Sequence, residues 1–272
     1  MTFSFGDPSA GLYGLARLGL AGGGDASALA VLFSGRKPVA AIARGEIEVA
    51  PGAGFGDLAL PGLRATIEEP LQQWTVRFDD EAQGFELTFQ AAGPPAEVEP
   101  SEPAARAGGM AGYVQLCHVH GTVRADGRPV ELRGLGQRAH EWGEPDWERI
   151  GAARTVAAWL DDGTGVAVLS VRPAGAASHD EDAIWASLLG AAGSLRVDET
   201  RVSTTYDDEG RQLRTSLELW VGDADGYPRR AAGEVVCGST LDLGQLRLDC
   251  AFLRWRMDGR DGVGRYDVLR RA

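Results

Sequence analysis

The sequence contains one lysine and no asparagine. The single lysine, Lys37, lies between Arg36 and Pro38 and reads as part of a turn, so Schiff-base and P-loop chemistry are left with one poorly placed candidate. Without asparagine there is no glycosylation sequon. Only three cysteines occur, Cys117, Cys237 and Cys250, an odd number without a CxxC pair, which fits buried thiols in a reducing compartment. Long apolar runs are missing as well. The longest, residues 28–33 and 183–189, fall far short of the roughly 20 needed to cross a bilayer. The first residues lack a basic region followed by an apolar stretch, so no signal peptide is expected. Basic residues number 27 against 39 acidic ones, and the net charge of −12 disfavours nucleic acid and anionic membrane surfaces as partners. The glycines at 22–24 and 52–56 lack the strand and helix that a phosphate loop needs and read as turns, and no Gly-x-Ser-x-Gly elbow is present. A soluble cytoplasmic protein is expected, and nothing in the sequence sets an oligomeric state.

What is abundant is glycine, 38 residues spread over a chain of 272. Asp-Gly pairs at 126–127, 162–163, 225–226, 258–259 and 261–262 read as hairpin turns. Short segments of alternating polarity lie between the turns, among them 74–78, 85–89, 113–123, 155–160, 166–171, 213–221 and 246–255. Many short strands with regular turns predict a sandwich or barrel. A short helix is expected near 180–189. Residues 91–111, rich in Pro, Ala, Gly and Glu, read as a long flexible loop, with a lid over a site as the other reading.

Self-comparison divides the chain. Phe78-Asp-Asp-Glu81 returns as Tyr206-Asp-Asp-Glu209, an offset of 128. Asp126-Gly-Arg128 returns as Asp258-Gly-Arg260 at 132, and Gly134-Leu-Gly136 as Gly262-Val-Gly264 at 128. The order is kept and the offsets nearly agree, which predicts a tandem duplication with domains at 1–143 and 144–272. Charge divides evenly, with 10 basic and 16 acidic residues in 1–136 and 17 and 23 in 137–272.

The copies differ after the Gly-x-Gly string. The first continues Gln137-Arg-Ala-His-Glu-Trp-Gly-Glu-Pro-Asp-Trp147, the second only Arg265-Tyr-Asp-Val-Leu269. In an extended strand Arg138, His140 and Trp142 share one face, and Ala139 and Glu141 the other. A cation, an imidazole and an indole on one face suit a pocket. The alternative is a core role for Trp142 and a structural ion pair for Arg138. Upstream, Tyr113, Gln115 and Cys117 share one parity and His118 and His120 the opposite one, so only one set lines a given cavity. His118 and His120 with His140 offer three potential metal ligands, but no carboxylate follows at the usual spacing, and no metal is expected.

The string Tyr113-Val-Gln-Leu-Cys-His-Val-His-Gly-Thr-Val-Arg124, followed by Asp126-Gly127, Gly134-Leu-Gly-Gln-Arg-Ala-His-Glu-Trp-Gly143 and Asp146-Trp147, resembles the AttH-like family, which includes the carotenoid hydratase hydroxyneurosporene synthase. The resemblance implies an all-β chain of two tandem lipocalin-like (calycin) barrels with an apolar cavity and no cofactor. It also places acid–base chemistry on His140 and Trp142. The family's Asp before this His is Ala139 here, with Glu141 one residue after it. The expected activity is that of a cofactor-independent lyase or isomerase (hydratase, dehydratase or cyclase) acting on an apolar isoprenoid- or polyketide-like molecule. His140, Arg138 and Trp142 are its catalytic candidates, and Trp147, Glu141, Tyr113, Gln115, His118 and His120 its substrate-binding candidates. The alternative is a non-catalytic carrier of a lipophilic ligand, which the loss of the Asp favours.

Overall fold

The computed structural model describes residues 1–161, 163–222 and 226–272. Asp162 and Asp225, from two of the expected Asp-Gly turns, lie outside the described residues. The elements in chain order are β1 (Thr2–Asp7), β2 (Leu12–Leu20), β3 (Asp25–Ser34), β4 (Lys37–Glu48), β5 (Asp57–Leu60), β6 (Leu63–Glu69), β7 (Gln73–Asp80), β8 (Gln83–Ala91), β9 (Ala96–Val98), α1 (Pro103–Gly108), β10 (Met110–Ala125) and β11 (Arg128–Gly143). They continue with β12 (Ile150–Leu160), β13 (Gly165–Pro173), β14 (Ala183–Gly190), β15 (Gly193–Arg196), β16 (Glu199–Tyr206), β17 (Gln212–Trp220), β18 (Arg229–Asp242), β19 (Leu246–Met257) and β20 (Arg260–Arg271).

Both sheets are antiparallel. The first runs β4-β3-β2-β1-β11-β10-β8-β7-β6-β5, with β9 beside β10, and the second runs β15-β14-β13-β12-β20-β19-β18-β17-β16. The orders coincide strand for strand once β5 and β9 are set aside, so the two sheets share one topology. Each sheet curls back on itself: β4 meets β7 and β8 in the first, and β14 meets β16 in the second. The result is two lipocalin-like barrels, the all-β class the strand signals imply.

Alternation fills each barrel. Trp74, Val76 and Phe78 of β7 and Phe85, Leu87 and Phe89 of β8 all turn inward. Phe3 and Phe5 meet Phe89 and Phe85 edge-on at 5.2 and 5.1 Å. In the second barrel Val156, Val168, Leu217, Leu253, Trp255 and Tyr266 do the same. The β10–β11 and β19–β20 hairpins turn on Asp126-Gly127 and Asp258-Gly259, all four residues at positive φ, as a two-residue type I′ loop requires.

The chain divides into two compact units: unit 1 is Met1–Ala92 with Leu116–Ala139, and unit 2 is Gly93–Gln115 with His140–Ala272. Residues 91–111 are not a flexible loop. They hold β9 and α1, which starts on Pro103, buries Ala104 and Ala105, and packs on β13 and β14. Alanine and glycine sit there because the backbone lies close to its neighbours: a Cβ on Gly93 would come within 2.1 Å of the Gly190 oxygen. The expected helix near 180–189 is a single 3₁₀ turn, His179–Glu181, followed by β14. The sheet pairing of β14 outweighs its helix-compatible composition. Asp261-Gly262 lies within β20 and makes no turn. The Phe78–Glu81 and Tyr206–Glu209 match joins hairpins that are not equivalent, β7–β8 and β16–β17. The other two matches are equivalent in topology.

The Gly-x-Gly strings have a mechanical cause. A Cβ on Gly134 or Gly136 would lie 2.5 or 2.3 Å from the carbonyl oxygens of Gly6 and Ser4. On Gly262 or Gly264 it would lie 2.2 or 1.9 Å from those of Trp159 and Ala157. Both partners are backbone atoms and cannot swing aside. Gly264→Ala should therefore destabilise the protein by about 2 kcal/mol or more, as overpacking does. Gly45→Ala, with no described atom within 4 Å of its Cβ position, should change stability by less than about 0.5 kcal/mol in the same denaturant titration.

Candidate functional site

The distinguishing segment lies at the end of β11. Glycine again sets its geometry. A Cβ on Gly112 of β10 would fall 2.3 Å from the His140 oxygen, and one on Gly143 would fall 2.1 Å from the Gly109 oxygen. The Glu144 N–H donates to that same Gly109 oxygen at 3.0 Å. This close crossing belongs to unit 2 and holds His140 beside β10.

The side chains converge there. The His140 ring lies 5.8 Å from Tyr113 and 5.6 Å from Trp142, and Tyr113 and Trp142 are 6.1 Å apart, all three pairs edge-to-face. Such contacts set a positive ring edge against a negative ring face. The shared face of His140 and Trp142 is the one alternation predicts. The cluster is open, with Trp142 51% exposed and Tyr113 and His140 half-buried. Gln115 is buried, and its Nε2 donates to the Gly93 oxygen at 2.8 Å, which ties β10 to the segment ahead of β9. Glu141 is half-buried. Trp147 is half-buried in a turn closed by Asp146, whose Oδ1 accepts from the Glu148 N–H at 3.0 Å and whose carbonyl accepts from Arg149 and Ile150.

Arg138 is in unit 1 and only 1% exposed. Its guanidinium carbon sits 3.9 Å from the Trp74 ring centroid, a cation–π contact inside an apolar barrel. Cys117 lies near it: the Arg138 charge and backbone N–H favour the thiolate, but burial outweighs both and pushes the thiol up to about 12.

His118 and His120 point outward from unit 1, opposite to Cys117 and Val119. With Glu131 and Arg133 they line a shallow surface trough of about 440 Å³. Among the described residues no three His, Cys, Asp or Glu side chains are grouped to hold a metal ion.

Sequence reading passed over Arg154, Ser170, Arg172 and Asp182, which meet inside unit 2. Their signal was legible: Arg154 continues the inward series Val156, Ala158, Leu160, and Ser170 and Arg172 continue Val166, Val168.

The model of the family described as Domain of unknown function (DUF7064) matches residues 1–272, and the chain belongs to that family. No functionally curated protein matches it. Among solved structures it is similar to an AttH candidate from Nitrosomonas europaea, at 14% identity and a TM-score of 0.66, covering 98% of this chain and 91% of that one. It is also similar to CghA, solved alone and with Sch210972, at 14% identity and a TM-score of 0.63, covering 100% of this chain and 88% of CghA. The fold is that of the AttH-like tandem lipocalin proteins.

The Cys117 thiol supplies a pH test. Its folded value of about 12 lies above the ordinary 9.0, so its contribution is complete below pH 9 and is lost as pH rises towards 12. Unfolding free energies at pH 8, 9 and 10 should fall above pH 9, and Cys117→Ala should flatten the slope by up to about 1.4 kcal/mol per pH unit.

Proposed function

We propose that the chain is a cofactor-independent lyase or isomerase, a hydratase, dehydratase or cyclase, acting by acid–base chemistry on an apolar isoprenoid- or polyketide-like molecule. The observation that carries this reading is the His140 ring set edge-on between Tyr113 and Trp142. An imidazole titrates near neutral pH and can donate or accept a proton. The aromatic faces beside it suit the cation formed when an alkene or enol carbon takes that proton. In hydration, His140 gives its proton to carbon, water adds to the cation, and the added water returns a proton to the imidazole. In elimination the same steps run in reverse.

The exposed Trp142 gives the apolar substrate a surface to cover, and Trp147 and Glu141 are assigned to substrate contact. Arg138, buried against Trp74 in unit 1, takes no part in this reading. CghA, which shares the fold, was solved with Sch210972, and that supports a small-molecule role here.

The second reading is a carrier of a lipophilic ligand. A specific observation favours it: Ala139 stands where the AttH-like motif has Asp, so the residue before His140 carries a methyl group in place of a carboxylate.

The test begins with native mass spectrometry and solvent extraction of the purified protein to identify a co-purifying molecule. Incubation with that compound should return a hydrated, dehydrated or cyclised product, and an unchanged compound would establish the carrier. His140→Ala should lower kcat/KM by about 10²-fold or more. Full turnover in that variant would remove His140 from catalysis. Trp142→Ala should mainly raise KM.

A further inference from the structure

The interior of the second barrel is apolar except at one end. There Arg154 and Arg172 share a single carboxylate. Arg154 Nη2 is hydrogen-bonded to Asp182 Oδ2, and Arg172 Nε donates to Asp182 Oδ1 at 2.8 Å. Arg154 and Asp182 are almost wholly buried, and Arg172 is partly open to solvent. His179, on the surface, is in contact through Nδ1 with the Arg172 guanidinium and lies 3.8 Å from Asp182 Oδ2.

On β20, the strand paired with β12, the Tyr266 hydroxyl pairs with Thr204 Oγ1 at 2.9 Å and Tyr206 Oη at 3.4 Å. Arg154 lies within electrostatic reach of Tyr266, and both tyrosines within reach of Arg172. Tyr206 stands at the open edge, 37% exposed, while Tyr266 is fully buried.

Two features of this cluster are incomplete. Two guanidinium groups against one carboxylate leave one positive charge in excess, which Arg172 exposes in part to solvent. Ser170 is 2% exposed, lies opposite Arg154 in the β12–β13 register and shares its inward face, yet its Oγ has no hydrogen-bond partner among the described residues. A buried hydroxyl without a partner is unfavourable, because it has given up its hydrogen bonds to water. A singly charged oxyanion would repair both defects: it would balance the second arginine and accept from Ser170. Val268 lies level with Arg154, and one inward step further along the strands the lining turns apolar at Val156 and Val168.

From this juxtaposition we infer that this end of the second barrel binds the carboxylate of an amphipathic small molecule, held by Arg154, Arg172 and Ser170 with the tyrosine hydroxyls beside them. Arg172 Nε and Nη2 and Arg154 Nη2 already meet Asp182, so the ligand carboxylate would take the remaining N–H groups of the two guanidiniums as charge-assisted hydrogen bonds. The apolar portion of the ligand lies against the valines beneath. This inference does not rest on any role of His140.

The experiment uses the full chain and a dansyl-labelled undecanoic acid, with its methyl ester as control. The acid should bind saturably, and the ester at least about tenfold more weakly, since it lacks the charge. Arg172→Gln should weaken the acid by about tenfold and leave the ester unaffected. Ser170→Val, which fills the hydroxyl's place, should weaken the acid too, with circular dichroism confirming that each variant folds. Decanoate should displace the probe and decanol should not. His140→Ala should bind the acid as the parent does. Equal affinity for acid and ester, no saturable binding up to millimolar acid, or unchanged affinity in folded Arg172→Gln would each overturn the proposal. The acid and ester comparison on the unmodified chain decides the matter even where a variant fails to fold.

Discussion

Each barrel is organised around the pairing of its first strand with its last, and that pairing works only with glycine. At Gly134 and Gly136 in one half, and Gly262 and Gly264 in the other, the backbone of the last strand lies against carbonyl oxygens of the first at distances that no Cβ tolerates. Everything inward of the pairing depends on it. The register Phe5↔Gly136 brings Phe5 to Phe85, and Ala158↔Gly264 aligns Val156 with Tyr266. The same device recurs beside His140, where Gly112 and Gly143 let β10 and β11 approach within unit 2. Glycine is abundant here largely because strands must touch backbone to backbone, and only some of it serves the turns.

Much of the fold was legible in the residues. Period-two alternation marked most strands, and the Asp-Gly pairs at 126 and 258 turn as expected. The offsets of 132 and 128 are both correct, because the hairpin arm from turn to Gly-x-Gly is eight residues in the first copy and four in the second. The failures have physical reasons. Residues 91–111 looked structureless because alanine and glycine there serve close packing, which composition alone does not separate from flexibility. Asp261-Gly262 carries a turn signal, yet strand pairing with β12 overrides it.

The candidate site was legible in part. Parity put His140 and Trp142 on one face, and their rings do meet. Tyr113 joins them through the β10–β11 crossing, which single-strand parity does not reveal. Arg138 shows the other side of the same logic: it follows the parity of Leu132 and Gly136 into the core of unit 1, where Trp74 accommodates its charge. The Arg154–Asp182 pair is hard to pick out because the chain is rich in arginine, and many of its arginines form exposed pairs such as Arg214–Glu234 and Arg230–Glu218, which contribute little to stability. Only an arginine at an inward position of an alternating strand carries information, and Arg138 and Arg154 both meet that criterion.

The two hairpin arms differ by four residues, an even number. One strand, β11, carries the Leu132 and Arg138 side chains into unit 1 and presents His140 and Trp142 in unit 2. Adding or removing a single residue between the Asp126-Gly127 turn and Leu132 would invert all of these faces together. The span counted from that turn can therefore lengthen or shorten only in steps of two. In descendants of this chain, the arm is free to vary by paired insertions, while the chemistry at its end changes by substitution alone.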